Sequence, residues 1–273
     1  MGITSDQKTA DAFANSWNNL PKGSVYTFEQ FEDWFYPLTK KHFESKDILE
    51  LGCGNASLLM HSTKWDPSSI TGVDLGESVL SAQKNIASTG YSKYKIVLGD
   101  LTEFNSDKKF DLVYSIGVLH HLKNPYAGFN SVIDNTNAGG IFHCWVYAKE
   151  GNQVIRYIVD PIRKVVSKLP WWVTKYFAAT PLVIPYFIYA HIISRFNIFK
   201  KFPLYEYSKW ICKRNFLFFR HVAFDQLVTP RTTYIDKKTI ESWLSSFEKI
   251  DTSSIYIIFR NGNSWKFGGT LKK

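Results

Sequence analysis

The chain is poor in cysteine. Its 273 residues hold three, Cys53, Cys144 and Cys212, far apart and without CxxC spacing. That excludes a disulfide framework and gives no zinc-ligand pattern, so a metal site is not expected and a reducing cytosol fits. The first residues, Met1-Gly2-Ile3-Thr4-Ser5-Asp6, carry neither a basic n-region nor an apolar h-region, so no secretory signal is read. Ser5 is out of place for a myristoylation signal. Internal repeats and low-complexity tracts are absent. Acidic residues are scarce in the second half: residues 1–150 hold 13 Lys+Arg against 17 Asp+Glu, whereas residues 151–273 hold 20 against 7. The C-terminal half is therefore suited to an anionic partner, whether a phosphorylated substrate, a membrane surface or nucleic acid.

An apolar fraction of 45% is ample for a core, and the length suits one α/β domain with an insertion. The organising stretch is Ile48-Leu49-Glu50-Leu51-Gly52-Cys53-Gly54-Asn55-Ala56. It reads as a buried strand, a glycine turn and the start of a helix near Ser57. Gly52 and Gly54 supply positive φ and let the backbone approach a ligand. A strand–turn–helix of this kind holds a nucleotide-like cofactor in an open α/β sheet. The third glycine of a dinucleotide fingerprint would fall at Ser57, so that fingerprint fails. Glu50 at the strand end would repel a pyrophosphate but suits a cation. Asp74, ending the run Ile70–Val73, is placed to accept from ribose hydroxyls. A ribose-bearing cation fits best.

The segment Glu50–Ala56, with Asp74, Gly99-Asp100 and Phe110–Leu122 following in order, resembles the successive motifs of class I S-adenosylmethionine (SAM)-dependent methyltransferases. The resemblance spans roughly residues 45–148, and 230–271 more weakly; Ala56 replaces the third glycine. It implies a doubly wound, mostly parallel seven-stranded α/β sheet with an antiparallel last strand, SAM as cofactor and S-adenosylhomocysteine (SAH) as product. It further implies that Glu50, Gly52, Cys53 and Gly54 line the methionine end, Asp74 takes the ribose with Leu75 beside the adenine, and Asp100 and Leu101 meet the adenine. Ser115, Ile116 and Gly117 would face the reacting centre, and an N-terminal lid would bring Trp17, one turn from Phe13, over the mouth.

Strand–helix alternation agrees. Strands are expected at Asp47–Leu51, Ile70–Val73, Tyr94–Leu98, Asp111–Ser115 and Ile141–Tyr147, with helices at Ser57–Lys64, Ser78–Ser88 and Tyr126–Asn135, the last closed at Gly139-Gly140. Lys237–Ser246 is a helix capped by Asp236, and Asn261-Gly262-Asn263 joins a hairpin of Ser253–Phe259 and Ser264–Leu271. Before the sheet, Phe28, Phe31, Trp34 and Phe35 recur at helical spacing, with Pro37 as the stop, and are expected to cover the sheet edge. The division is 1–46 helical lid, 47–149 and 226–273 SAM-binding domain, and 150–225 a basic, aromatic helical cap. Prolines 170, 181, 185 and 203 are expected to separate its helices. Pro181 and Pro185 limit the clean apolar run between Tyr176 and Arg195 to about 18 residues, the lower bound of a span. A single span inserted between strands of one sheet would misplace the chain, so a buried or interfacial cap is expected.

For chemistry, methyl transfer needs positioning and, for a hydroxyl or protonated amine, a base. His121, the neighbouring His120, and His221, paired with Asp225 one helical turn on, are the candidate bases. Tyr147, at the end of its strand, is placed to reach substrate, while His143 reads as a satisfied core residue. Asn152, Arg156, Arg231 and Tyr234 are candidate anchors for an anionic group. The expected protein is a cytoplasmic methyltransferase acting at oxygen or nitrogen of a small, anionic molecule of specialised, glycan or lipid-precursor metabolism, with no DNA partner. Two rivals stand beside it. An RNA methyltransferase is suggested by the basic pI but lacks an RNA-binding module and an Asn-Pro-Pro-Tyr motif. The other is a membrane-associated SAM-binding protein without activity.

Overall fold

The computed structural model describes Gln7 and residues 26–273; Trp17 and Phe13 lie outside the described residues. Seven strands form one sheet: β1 (Asp47–Leu51), β2 (Ser69–Asp74), β3 (Tyr94–Leu98), β4 (Phe110–Ile116), β5 (Thr136–Tyr147), β6 (Tyr256–Arg260) and β7 (Ser264–Thr270). Their spatial order is β3-β2-β1-β4-β5-β7-β6. β1 to β5 pair in parallel, and β7 inserts antiparallel between β5 and β6. The strand order reverses between β1 and β4, which opens a crevice at their carboxyl ends.

Side chains alternate across the sheet. Leu49 and Val113 enter a core with Phe129, Trp243 and Phe267, contributed by α4 (Pro125–Asp134), α9 (Lys237–Ser245) and β7. Ile48, Leu112 and Tyr114 enter the opposite core, with Phe31, Phe35, Phe43 and Trp65. Phe31 and Phe35 belong to α1 (Phe28–Phe35), whose start is fixed by a capping box between Thr27 and Gln30. Phe35 packs edge-on to Tyr114 at 4.7 Å and against His143 at 5.4 Å. The helix therefore covers a sheet face and not the edge, because Trp34 and Phe35 pack on the interior strands β4 and β5. His143, fully buried there, bonds Tyr256 Oη at 2.6 Å and the Trp34 carbonyl at 3.0 Å. The remaining helices of the α/β part are the short α2 (Leu59–Ser62) and α3 (Ser78–Ala87).

Two expectations about boundaries change. β5 starts at Thr136 and runs through Gly139-Gly140, with a register shift against β4 between Phe110 and Leu112; the left-handed φ of Gly139, 72°, accommodates the irregularity. The cap reaches Val228. It comprises α5 (Asp160–Val166), preceded by a π-helical turn, then α6 (Trp171–Ile193), α7 (Tyr205–Ile211) and α8 (Phe216–Val228). Pro170 and Pro203 precede helices, but Pro181 and Pro185 lie within one continuous helix. A π-helical stretch at Thr174–Ala179 widens the turn before Pro181, where a proline ring would crowd the preceding carbonyl.

Candidate active site

The β1–α2 turn has the geometry that brings backbone closest to a ligand. Gly52 has φ 83° and Gly54 φ 51°. A Cβ on Gly52 would stand 2.4 Å from a Val118 methyl, so both the dihedral and the space require glycine there. Ala56 also adopts φ 63°, a left-handed conformation that costs an alanine about 1 kcal/mol. Asp74 holds this turn from β2. One of its oxygens accepts from Gly54 N at 2.8 Å, and the other accepts from Gly76 N and Ser78 Oγ, both at 3.0 Å. Glu50 is opposite Tyr114 in the β1–β4 register and accepts from its hydroxyl at 3.2 Å.

These groups line a cavity of about 500 Å³ between the strand ends and the cap. Glu50, Gly52, Cys53, Gly54, Asp74, Leu75, Asp100, Leu101, Ile116 and Gly117 all face it. Burial raises the Glu50 carboxyl well above the usual range, and the nearby Asp74 adds to this; the Tyr114 hydrogen bond only partly offsets it. Asp74 is raised by burial too, against the pull of its hydrogen bonds. Asp100 commits one oxygen to Thr102, N at 2.8 Å and Oγ1 at 2.7 Å, and no partner of the other oxygen is placed among the described residues. Among the described residues that line the cavity, Arg260 is the single Lys or Arg, and it is paired with Asp33. Among the described residues the strand-end pole is thus acidic and carries no Lys or Arg besides the paired Arg260, which fits a cationic nucleoside.

The same cavity is lined by His121, Tyr147, Asn152, Tyr234 and, from α8, His221 and Asp225. His221 Nε2 lies 3.2 Å from Asp225 Oδ2. His121 Nδ1 is 2.9 Å from the Arg231 carbonyl, and burial depresses its pKa to about 4. Tyr147 is held by Gln226, whose Nε2 donates to its hydroxyl at 2.7 Å. Arg163 fixes Gln226 in turn, from Nε to its carbonyl and from Nη2 to its side chain at 2.8 Å, and also pairs with Asp160 at 2.9 Å. Asp160 accepts from the Tyr234 hydroxyl at 3.0 Å. Burial keeps both phenols protonated, with Tyr234 pushed up to about 12. Cap and sheet are therefore tied by one polar chain that ends at the site.

Several expected site residues take other places. Ser115 is fully buried and donates to the Leu51 carbonyl at 2.8 Å, bracing β4 on β1 behind the cavity. Asn152 touches the cavity, but its amide donates to the carbonyls of Ala148 at 2.7 Å and Asn263 at 2.6 Å. With Glu150 accepting from Trp265 Nε1 at 3.0 Å, it pins the cap's first turn to the β6–β7 hairpin. Arg156 lies over Tyr157 and Tyr234 and does not line the cavity. Arg231 is exposed and contributes its carbonyl, not its guanidinium. His120 is fully buried beside His121, its ring tilted against Tyr147 at 4.1 Å. Further lining residues belong to no sequence motif. Tyr26, Trp34, Trp145, Tyr207 and Trp210 form an aromatic wall, and the Arg260 guanidinium lies between Trp34 at 5.6 Å and Trp210 at 5.2 Å. Their one legible signal was aromatic density before and after the sheet. Among the described residues no group of His, Cys, Asp or Glu is arranged to hold a metal ion.

A glycine-turn crevice at a switch point, with acids at the ends of β1 and β2, defines an α/β protein built for a nucleoside cofactor. More particularly, residues 42–159 match the methyltransferase-domain family, and the chain carries a class I SAM-dependent methyltransferase domain. Among curated relatives, a probable (S)-tetrahydroprotoberberine N-methyltransferase of Papaver bracteatum is 29% identical over 36% of this chain and 29% of its own. A tRNA U34 carboxymethyltransferase of Nautilia profundicola is 29% identical over 36% of this chain and 33% of its own. The chain spans about a third of the length of such relatives. The fold extends further: magnesium protoporphyrin IX methyltransferase of Synechocystis with bound SAM superposes with a TM-score of 0.56 at 11% identity, over 100% of this chain and 99% of that one.

Proposed function

We propose that the protein transfers the methyl group of SAM to an oxygen or nitrogen of a small molecule held beneath the cap. The observation that carries this is a single cavity whose described lining joins the acids Glu50, Asp74 and Asp100 to His121, His221, Tyr147 and Tyr234. SAM supplies an activated methyl on a sulfonium. Glu50 would neutralise its ammonium group, Asp74 and Asp100 would meet ribose and adenine, and the glycine turn would admit the methionine portion. With the acceptor held in line, its lone pair would take the methyl while the carbon–sulfur bonding pair stays on the sulfur of SAH, so the sulfonium charge would be discharged.

A hydroxyl or ammonium acceptor must also lose a proton. His221 is the better base, because Asp225 stabilises the imidazolium that forms. His121 faces the cavity too, but burial makes it a weak base. Tyr147 and Tyr234, both protonated, would orient the acceptor. Arg260 would meet an acidic group on it, the remaining support for an anionic substrate now that Arg156 and Arg231 point elsewhere. We read the enzyme as cytoplasmic, with the cap free to touch a membrane surface. Methyl-labelled SAM incubated with total cell extract tests this: label should appear in a small molecule and fall at least tenfold with His221→Asn. Label on RNA would favour the RNA reading, and SAM binding with no label anywhere a non-catalytic one.

A further inference from the structure

The least conventional surface of the molecule is the outer side of the cap. The inner positions of α6, Val183 and Ala190, are buried among residues of α7 and α8, and Ile193 is buried at its end. Yet only 22% of the helix's most apolar window is buried. Phe177, Ile184, Ile188 and Ile192 follow one another at intervals that place them on one stripe, and all are exposed, Phe177 at 71%. Trp172 begins the same surface and Phe196 and Ile198 continue it, Ile198 at 83% exposure. A helix apolar on every side that is not enclosed by protein has lipid as its remaining apolar surroundings.

Charge selects the lipid. From Asp160 to Glu206 no carboxylate intervenes, while Lys164, Lys168, Arg195, Lys200 and Lys201 are exposed at the two ends of α6. Cations flanking an apolar stripe with tryptophan and phenylalanine are the pattern of a helix lying in the interface of an anionic bilayer. A crossing is excluded by topology: β5 enters the cap, and β6 and β7 after it join the same sheet, so both ends of the insertion are on one side. A second copy of this chain is disfavoured, since a symmetric contact would face these cations with themselves. The cavity reaches this surface. Ile158 and Pro185 both line it and are exposed, and Ile155, Val159, Leu182 and Val222 continue inward as an apolar wall.

We propose that the outer face of α6 docks on an anionic membrane surface, turning the cavity mouth at Ile158 and Pro185 toward the lipid, and that the acceptor is an amphiphile drawn from it. The acceptor half rests on the methyl-transfer reading above; the docking half does not. Flotation with phosphatidylglycerol–phosphatidylcholine vesicles tests docking. The protein should float with these and not with phosphatidylcholine alone. Lys200→Gln with Lys201→Gln should weaken partitioning about 25-fold, at about 1 kcal/mol per lysine, and Phe177→Ser with Ile188→Ser should abolish it, with SAM affinity unchanged in both variants. An environment-sensitive dye on Ile158→Cys, in a Cys212→Ser background, should shift to the blue on vesicle addition, whereas one on Ser245→Cys in α9 should not. Equal binding to neutral vesicles, an unshifted dye at position 158, or concentration-dependent dimers in place of flotation would overturn the docking. Methyl label from SAM should then partition into the organic phase with vesicles of total cellular polar lipid. Normal SAM binding with no organic-phase label would overturn the lipid acceptor alone.

Discussion

Replacing Glu50 by glutamine separates a binding carboxylate from a structural one, because the two roles predict opposite signs. Glu50 is 2% exposed, has Tyr114 as its hydrogen-bond partner, and shares its cavity with a second acid, Asp74. Its pKa is raised in the folded protein, so the unliganded fold loses stability as pH rises from the unfolded value of a carboxyl through the raised one. Glu50→Gln removes the charge and retains an oxygen for Tyr114. The unliganded variant should therefore melt higher than wild type at pH 7; for a chain of this length about 1 kcal/mol corresponds to about 2–4 °C. The same change removes a charge-assisted contact to the cofactor's ammonium, worth about 1.5–3 kcal/mol, so SAM affinity should fall about 10- to 150-fold. Scanning fluorimetry without ligand and calorimetric titration of SAM read the two effects independently. A variant that melts lower than wild type and binds SAM equally well would refute the assignment.

Other expectations are more local. Gly52→Ala should cost at least about 2 kcal/mol in chemical denaturation and abolish SAM binding, since φ 83° and a 2.4 Å approach to Val118 both oppose a Cβ. Ser115→Ala should cost about 1 kcal/mol of stability through its lost bond to Leu51 and leave SAM affinity unchanged. His143 has its pKa lowered by burial to about 3. The stability that its neutral form contributes is present above the unfolded value of about 6.5 and is lost as pH falls from there toward the folded value. Relative to His143→Gln, wild type should lose up to about 1.4 kcal/mol per pH unit across that window, measured by urea denaturation at a series of pH values.

What was legible in the sequence was what local chemistry decides. The five parallel strands announce themselves as apolar runs between turns, Asp236 caps its helix, and Asn261-Gly262-Asn263 marks the hairpin. The gathering of Glu50, the glycines, Asp74 and Asp100 on one cavity was legible for the same reason: they sit at strand ends, and the topology of a doubly wound sheet delivers strand ends to one crevice. The side of the cavity that meets the cap was not. Whether Arg156 or Arg260 faces the cavity depends on how a cap and a distant hairpin meet the sheet, and neither periodicity nor residue type carries that. Arg231 and Asn152 looked like anchors because their chemistry suits anions, yet chain geometry uses one for its carbonyl and the other to tie two loops together. α6 shows a different limit: prolines at 181 and 185 suggest interruption, but a π-helical stretch absorbs the first and the helix continues through the second.

Titration of SAH into the wild-type protein tests the central claim most directly. Saturable one-to-one binding in the cavity between the glycine turn and the cap is the expected result. A folded protein that takes up neither SAH nor SAM would contradict it.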